Sequence, residues 1–460
     1  MSTTRAFRVA ATSARVLTGA VVAAACVVGV VVAIPSPWPT VTHDAAQAEV
    51  TPLPGDTVLV CNGDFRAIGR NTADSLQMVP AASPQLTVDG ASEPPQSSLL
   101  SVDDLAGSGG VPVLIGQVEG RTAPLIGATE SVSLAEADLS GFAAAPCRPA
   151  STESWLVGGT VETGSEDLIV LTNPGAVPST VSLVAYGSVR GSTSVIVPAE
   201  SQVALPLTAL ASGSDLPVAH VTATGSPVRA VLQSSQTQTL DPVGVDLQDA
   251  VAAPQQHPVI PGVQVFESDG DNSRMAVLRL LSPERDSQAT VTVRAVGGSA
   301  VARDFTVELT AEQPLEMSLS DLPPGRYTVG VDADEPVLTG VRVQDGAGPQ
   351  SDFTWVMPAP EFDDDLLVAV PAGPAASVVV VNDEESDATV QLEPVGGGEP
   401  VEITVPAGSS ASVDVETETV YSLTTSGPVH AEVAMTAPGA LAAWPVWPAA
   451  GAQQSITVYP

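Results

Sequence analysis

The chain has 460 residues, with 16 basic against 52 acidic side chains for a net charge of -36, and 44% hydrophobic content with only 3% aromatics. Every basic side chain is arginine, and a chain without lysine excludes Walker A phosphate binding, Schiff-base chemistry and Ser-x-x-Lys acyl enzymes. So acidic a surface also lacks the basic footprint that nucleic acid requires, so no nucleic-acid partner is expected.

The first predicted element is a helix. Val16 to Ile34, VLTGAVVAAACVVGVVVAI, carries no charge and is long enough to cross a hydrocarbon layer of about 30 Å. Arg5, Arg8 and Arg15 precede it and no acid appears before Asp44, so residues 1–15 are expected in the cytoplasm and everything after Ile34 outside. A retained signal-anchor in the cytoplasmic membrane is the reading adopted. The alternatives are cleavage near Ala46-Gln47-Ala48, giving a secreted protein, and lipidation at Cys26, against which the apolar run past that cysteine argues.

After a linker over 35–49, residues 50–153 form an irregular β region. TVLVCNGDF and GVPVLIGQVEG read as strands, whereas PAASPQLTVDGASEPPQSS reads as loop. Cys61 and Cys147 both fall here, and an even pair outside the cytosol is expected to form a disulfide.

The remainder repeats. EDLIVLTNPGAVPSTVSLVAYG, SRMAVLRLLSPERDSQATVTVRAVGG and ASVVVVNDEESDATVQLEPVGGG each give an apolar strand, a turn and a strand alternating apolar with polar residues. A second landmark follows in each copy: a strand, a turn, Pro-Val and another strand, with Pro227, Pro336 and Pro428 at strand starts, where a missing N–H costs least. Between the landmarks, SVIVPAESQVALPL, DFTVELTAEQPLEMSL and VEITVPAGSSASVDV read as hairpins. The pattern predicts an all-β chain of tandem immunoglobulin-like β-sandwiches of around seven strands each, over 154–263, 264–373 and 374–460.

The Cys147-Arg148-Pro149 segment, Trp155-Leu156-Val157-Gly158-Gly159, LIVLTNPG with Asn173 and Pro174, and TVSLVAYGSVRG together resemble the actinobacterial domain of unknown function 5719. The resemblance runs from about Val50 to the C-terminus. It implies an exported or membrane-anchored protein, in some members resembling an extracytoplasmic partner of a membrane glycosyltransferase, and it carries over no catalytic residues. One departure is Leu247 where a tryptophan is expected; Trp355 and Trp444 hold comparable places in the later copies.

No reaction is indicated. His43, His220, His257 and His430 stand near no G-x-S-x-G elbow and in no H-E-x-x-H motif, and no cofactor is expected. Asp363, Asp364 and Asp365, and Asp269, Asp271 and Asn272, are the best calcium candidates, but the EF-hand order is missing and solvated inter-domain turns are the reading adopted, so no metal is expected. Trp155, Gly158 and Gly159 occur only in copy one, where a core aromatic with a close backbone approach explains them. The expected function is a non-enzymatic extracytoplasmic scaffold or accessory subunit in cell-envelope assembly. The alternatives are a binding protein for envelope glycan or wall polymer, and a glycan hydrolase with an unrecognised acid pair. A smooth acidic rod favours the first, a flat aromatic patch the second, and a deep acid-lined cleft the third.

Overall fold

The computed structural model describes residues 3–33, 48–50, 53–70, 74, 77–267, 274–450 and 456–458, in two units. The first holds the helix Thr3–Ala33 and a two-stranded antiparallel pair, Ala48–Val50 with Ile456–Val458. Ala14–Val32 of that helix has a mean hydropathy of 2.3 and is long and apolar enough to cross a membrane; in hydrocarbon only a helix can satisfy such a run's backbone groups internally.

The second unit, Leu53–Gln453, contains three antiparallel sandwiches of immunoglobulin-like type. In the first, one sheet orders its strands Glu153–Leu156, Val218–Gly225, Ser179–Tyr186, Gly191–Val197, and the other Ser201–Pro206, Ser165–Asn173, Arg229–Gln238, Asp241–Asp249. The second sandwich repeats this order from Val259–Val265 to Phe353–Val356, and the third from Leu366–Val370 to Ala440–Pro445, with a short strand Glu361–Phe362 added beside Val429–Ala437.

Three expectations are corrected. The supposed hairpins are arches: Gly191–Val197 pairs with Ser179–Tyr186 in one sheet, while Ser201–Pro206 pairs with Ser165–Asn173 in the other. The turn at Pro198 therefore crosses between sheets, and both later copies do the same. The divisions at 263/264 and 373/374 fall too late, because the sequence landmarks begin at each sandwich's second strand. The short edge strands Val259–Val265 and Leu366–Val370 come before it, and the chain's last strand, Ile456–Val458, leaves the third sandwich to pair with Ala48–Val50. Within 50–153 the supposed loop holds Val79–Ala82, Gln85–Gly90 and Gln96–Leu100. Their few apolar residues are completed by neighbours, as where Gln85–Gly90 pairs with Ile126–Ala135.

The two kinds of strand pattern report two environments. Ser287–Ala295 alternates buried and exposed positions through most of its length, as a sheet with one wet face must. Ala376–Asn382, from VVVVN, is buried at every position. The second face of such strands is covered by another module: Leu168 and Val170 pack with Met78 and Leu105 of the N-terminal region. The strand Ser140–Pro146 divides its faces, Ala143 and Ala145 joining the first sandwich's Val231, Val245 and Leu247, and Phe142 and Ala144 joining the third sandwich's core. The four regions therefore close on one another instead of extending as a tandem rod. Thr129 and Ser131 donate their hydroxyls to the Ala369 and Ala372 carbonyls at 2.9 and 2.8 Å.

Candidate functional site

The regions meet where Ser140–Pro146 and the last strands of the three sandwiches converge, and Asp352 lies at that meeting. Its Oδ2 accepts the N–H groups of Phe142 and Leu441, and its Oδ1 that of Val245, each at 2.9 Å. One carboxyl from the second sandwich thus joins the N-terminal region, the first sandwich and the third. Gly141 and Gly244 stand just before two of the donors, at φ +142° and +125°, and a Cβ on either would come within 2.6 and 2.5 Å of Asp352 Oδ1. Only glycine permits this approach. Burial pushes the Asp352 carboxyl well above the usual range, against the pull of the N–H donors. Asp345 extends the clamp, accepting the N–H of Gly439 at 2.6 Å and that of Asp352 at 2.7 Å.

A second buried junction ties the disulfide-bearing region to the first and third sandwiches. Cys61 and Cys147 are bonded across a separation of 86 residues, flanked by reciprocal N–H···O bonds between Val60 and Arg148. Asp249 binds Arg148 and Arg229, both at 2.6 Å, and accepts Trp447 Nε1–H at 3.0 Å; the Arg148 guanidinium also lies 3.2 Å above the Trp447 ring. Burial raises the Asp249 pKa, but the two guanidiniums outweigh it and hold the carboxyl below its ordinary value. Glu130, fully buried, accepts only the Asn62 and Gly63 N–H groups, and burial pushes it up to about 7.

The Trp-x-x-Gly-Gly segment lies at the boundary of the first and second sandwiches. Trp155 stacks on His220 with centroids 3.8 Å apart and joins Tyr186, Phe353 and Trp355 in one apolar cluster. A Cβ on Gly158 would meet the Trp355 ring at 2.7 Å, so this glycine admits the second sandwich's tryptophan. Arg279, also from the second sandwich, donates to the carbonyls of Val157, Gly159 and Pro217 at 2.9–3.0 Å and pairs with Glu316 at 2.7 Å. Asp246 answers from the first sandwich by accepting the Trp355 N–H and the Thr354 hydroxyl, both at 3.0 Å, and burial pushes it up to about 7. Leu247 and Trp355 occupy the same place on their last strands, opposite Gln233 and Arg342, while Trp444 stands opposite Val433.

Beside this contact the two sandwiches leave a cleft of about 470 Å³. Asp167 lies in its wall: Oδ2 accepts the Thr160 N–H at 2.6 Å, Oδ1 has no protein partner, and burial pushes the carboxyl up to about 6. The Ser234 hydroxyl, directly across the sheet, faces Asp167 closely enough to pull its pKa down but makes no well-formed hydrogen bond. Opposite, Arg342 donates to Gln236 Oε1 at 2.8 Å and leaves its Nε unmatched. Neither Asp167 nor Arg342 stands out in the sequence, because 52 acids and an arginine-only basic set surround them.

Other candidates disperse. Asn173 anchors the arch of copy one, donating Nδ2–H to the carbonyls of Val177, Val197 and Pro198 and accepting the Gly175 N–H past Pro174. Asn382 does the same in copy three, bonding the Ser386 and Val405 carbonyls. Asp363, Asp364 and Asp365 are exposed and are not brought together as a metal cage; the nearby exposed acids whose oxygens do converge are Glu361, Asp383 and Glu384. Asp269, Asp271, Asn272 and His43 lie outside the described residues. His220 pairs with Glu153 at 2.9 Å, His257 with Asp332 at 3.1 Å, and His430 bonds the Ala359 carbonyl at 2.8 Å with Asp383 at 3.6 Å.

These features define an all-β protein of three immunoglobulin-like sandwiches, with a disulfide-bearing region and an N-terminal apolar helix. The model of a family of unknown function, DUF5719, matches residues 102–416, and the chain belongs to that family. No curated protein matches it. Among solved structures, the crystal structure of chicken CNTN1 FN1-FN3 domains is similar to 67% of this chain and 99% of its own, at 11% identity and a TM-score of 0.12, a likeness too slight to carry an argument.

Proposed function

We propose that this chain is a non-enzymatic platform of the cell envelope, anchored by Ala14–Val32 in the cytoplasmic membrane with its N-terminus inside and the body Leu53–Gln453 outside. There it acts as a scaffold or accessory subunit to a membrane glycosyltransferase. The regions close together instead of forming the rod expected of a scaffold. The observation that supports this reading in its place is the Asp352 clamp: a buried acid that fixes four regions to one another gives a body with a defined outer surface, as a docking platform needs. Arg5, Arg8 and Arg15 ahead of the apolar run support the orientation, and the Cys61–Cys147 bond supports an oxidising compartment.

In-cell crosslinking followed by purification of the full chain from membranes tests the reading. Recovery of a multipass glycosyltransferase at near-equal amount is expected. Recovery of wall polymer alone, or of the body cleaved from its helix, overturns the accessory role.

A further inference from the structure

The cleft between the first and second sandwiches places buried polar groups that the protein itself does not satisfy in the wall of a cavity; unmatched buried groups also occur elsewhere, at Glu130, Arg229 and Glu432. Asp167 Oδ1, Ser234 Oγ and Arg342 Nε are all buried without a partner, where groups of this kind are normally matched. A volume of about 470 Å³ is within the range of small-molecule sites, roughly 300–1,000 Å³, and leaves ample room for a molecule to complete them.

The lining specifies what kind of molecule. Three arginines, Arg274, Arg279 and Arg342, face three acids, Glu162, Asp167 and Glu316, so the formal charge balances and neither an anion nor a cation is selected. Thr160, Thr163, Thr237, Gln236 and Gln238 add hydroxyls and amides, which both donate and accept. Apolar surface alternates with them: Leu216 and Val243 from the first sandwich, Met275, Val277 and Trp355 from the second. A neutral molecule with hydroxyls around its edge and C–H faces above and below is the complement of such a wall.

We infer that this cleft is a binding site for a neutral saccharide of one to a few rings, held by Asp167, Ser234, Gln236 and Arg342 at its hydroxyls and by the apolar side chains at its ring faces. The site rests on the cleft alone and stands whether or not the chain partners a glycosyltransferase.

The test uses the full chain in a detergent without a sugar headgroup, applied to an array of immobilised neutral and acidic glycans, with calorimetric titration of the best neutral oligosaccharide. Retention of neutral glycans is expected. Asp167→Asn and Ser234→Ala are each expected to weaken the titrated affinity at least tenfold. Thr163→Trp, on the exposed rim, is expected to abolish binding by filling the mouth while leaving the melting temperature unchanged. Retention of acidic glycans alone, of no glycan, or of neutral glycans equally by Thr163→Trp and the parent overturns the site. The crosslinking result above is independent of all of these outcomes.

Discussion

Around Asp352, N–H groups from three other regions close on one carboxyl; around Asp167, a single local N–H does so and the second oxygen is left over in a cleft. Both acids are buried, both stand at module boundaries, and burial raises both. The arginines repeat the contrast from adjacent strands of one sheet. Arg279 spends its nitrogens on three carbonyls and Glu316, whereas Arg342 keeps Nε unmatched. A buried polar group is costly unless satisfied, so an incomplete set that lines a cleft is a place where something else can complete it; Glu130 Oε1 and the Nε atoms of Arg148 and Arg229 are likewise unmatched, but inside a joint.

The contrast breaks first at Asp352. Asp352→Ala strands the Phe142, Val245 and Leu441 N–H groups, and urea unfolding should show a loss of about 4 kcal/mol at roughly 1–3 kcal/mol per orphaned group. A loss below about 1 kcal/mol would mean that the clamp does not hold the modules together.

The Cys61→Ser/Cys147→Ser double variant should lose about 3 kcal/mol, and reductant should bring the parent to the same level without moving the variant.

Glu130 gives a pH signature. Its folded pKa of about 7 lies above its ordinary 4.5, so the stability it contributes is fully present below about pH 4 and is lost as pH rises through 7. Denaturation at pH 5 and pH 8 should show Glu130→Gln losing about 2 kcal/mol less than the parent across that interval. Asp249 has the opposite sign: its lowered pKa contributes stability that is lost as pH falls.

The smallest effect belongs to Asp167→Asn, below about 1 kcal/mol, because it removes a buried charge whose burial outweighs the support of the Thr160 N–H, Ser234, Arg279 and Arg342. A loss comparable to that of Asp352→Ala, read by the same urea titration, would erase the distinction between joint and site.

Much of the architecture was legible because strands obey short-range rules. Val-rich alternation in ATVTVRAV, the recurrent Pro-Val before a strand, the charge-free run after Arg15 and the two exported cysteines each appear within a few residues of chain. The hairpin reading failed because an arch and a hairpin share the same apolar spacing; only the partner strand tells them apart, and it lies far away in sequence. Closure of the four regions was hidden for the same reason. Its one local trace was the continuous apolar run in LIVL and VVVV, which reports a strand buried on both faces but not what covers the second face. Asp352 and Asp167 were invisible because the chemistry that separates them resides in backbone N–H groups, which every residue but proline carries.

The pairing of the N-terminal region with the third sandwich bears on how the chain is made. Thr129 and Ser131 bond to the Ala369 and Ala372 carbonyls, 240 and 241 residues downstream, and Phe142 joins the core of that last sandwich. A part that leaves the ribosome early is thus finished by one that leaves some 240 residues later. Until then the face carrying Phe142 and Ala144 lacks the cover that the third sandwich gives it, and at about 5–20 residues per second that exposure lasts roughly 10–50 seconds. That interval grows with the length of the two sandwiches in between.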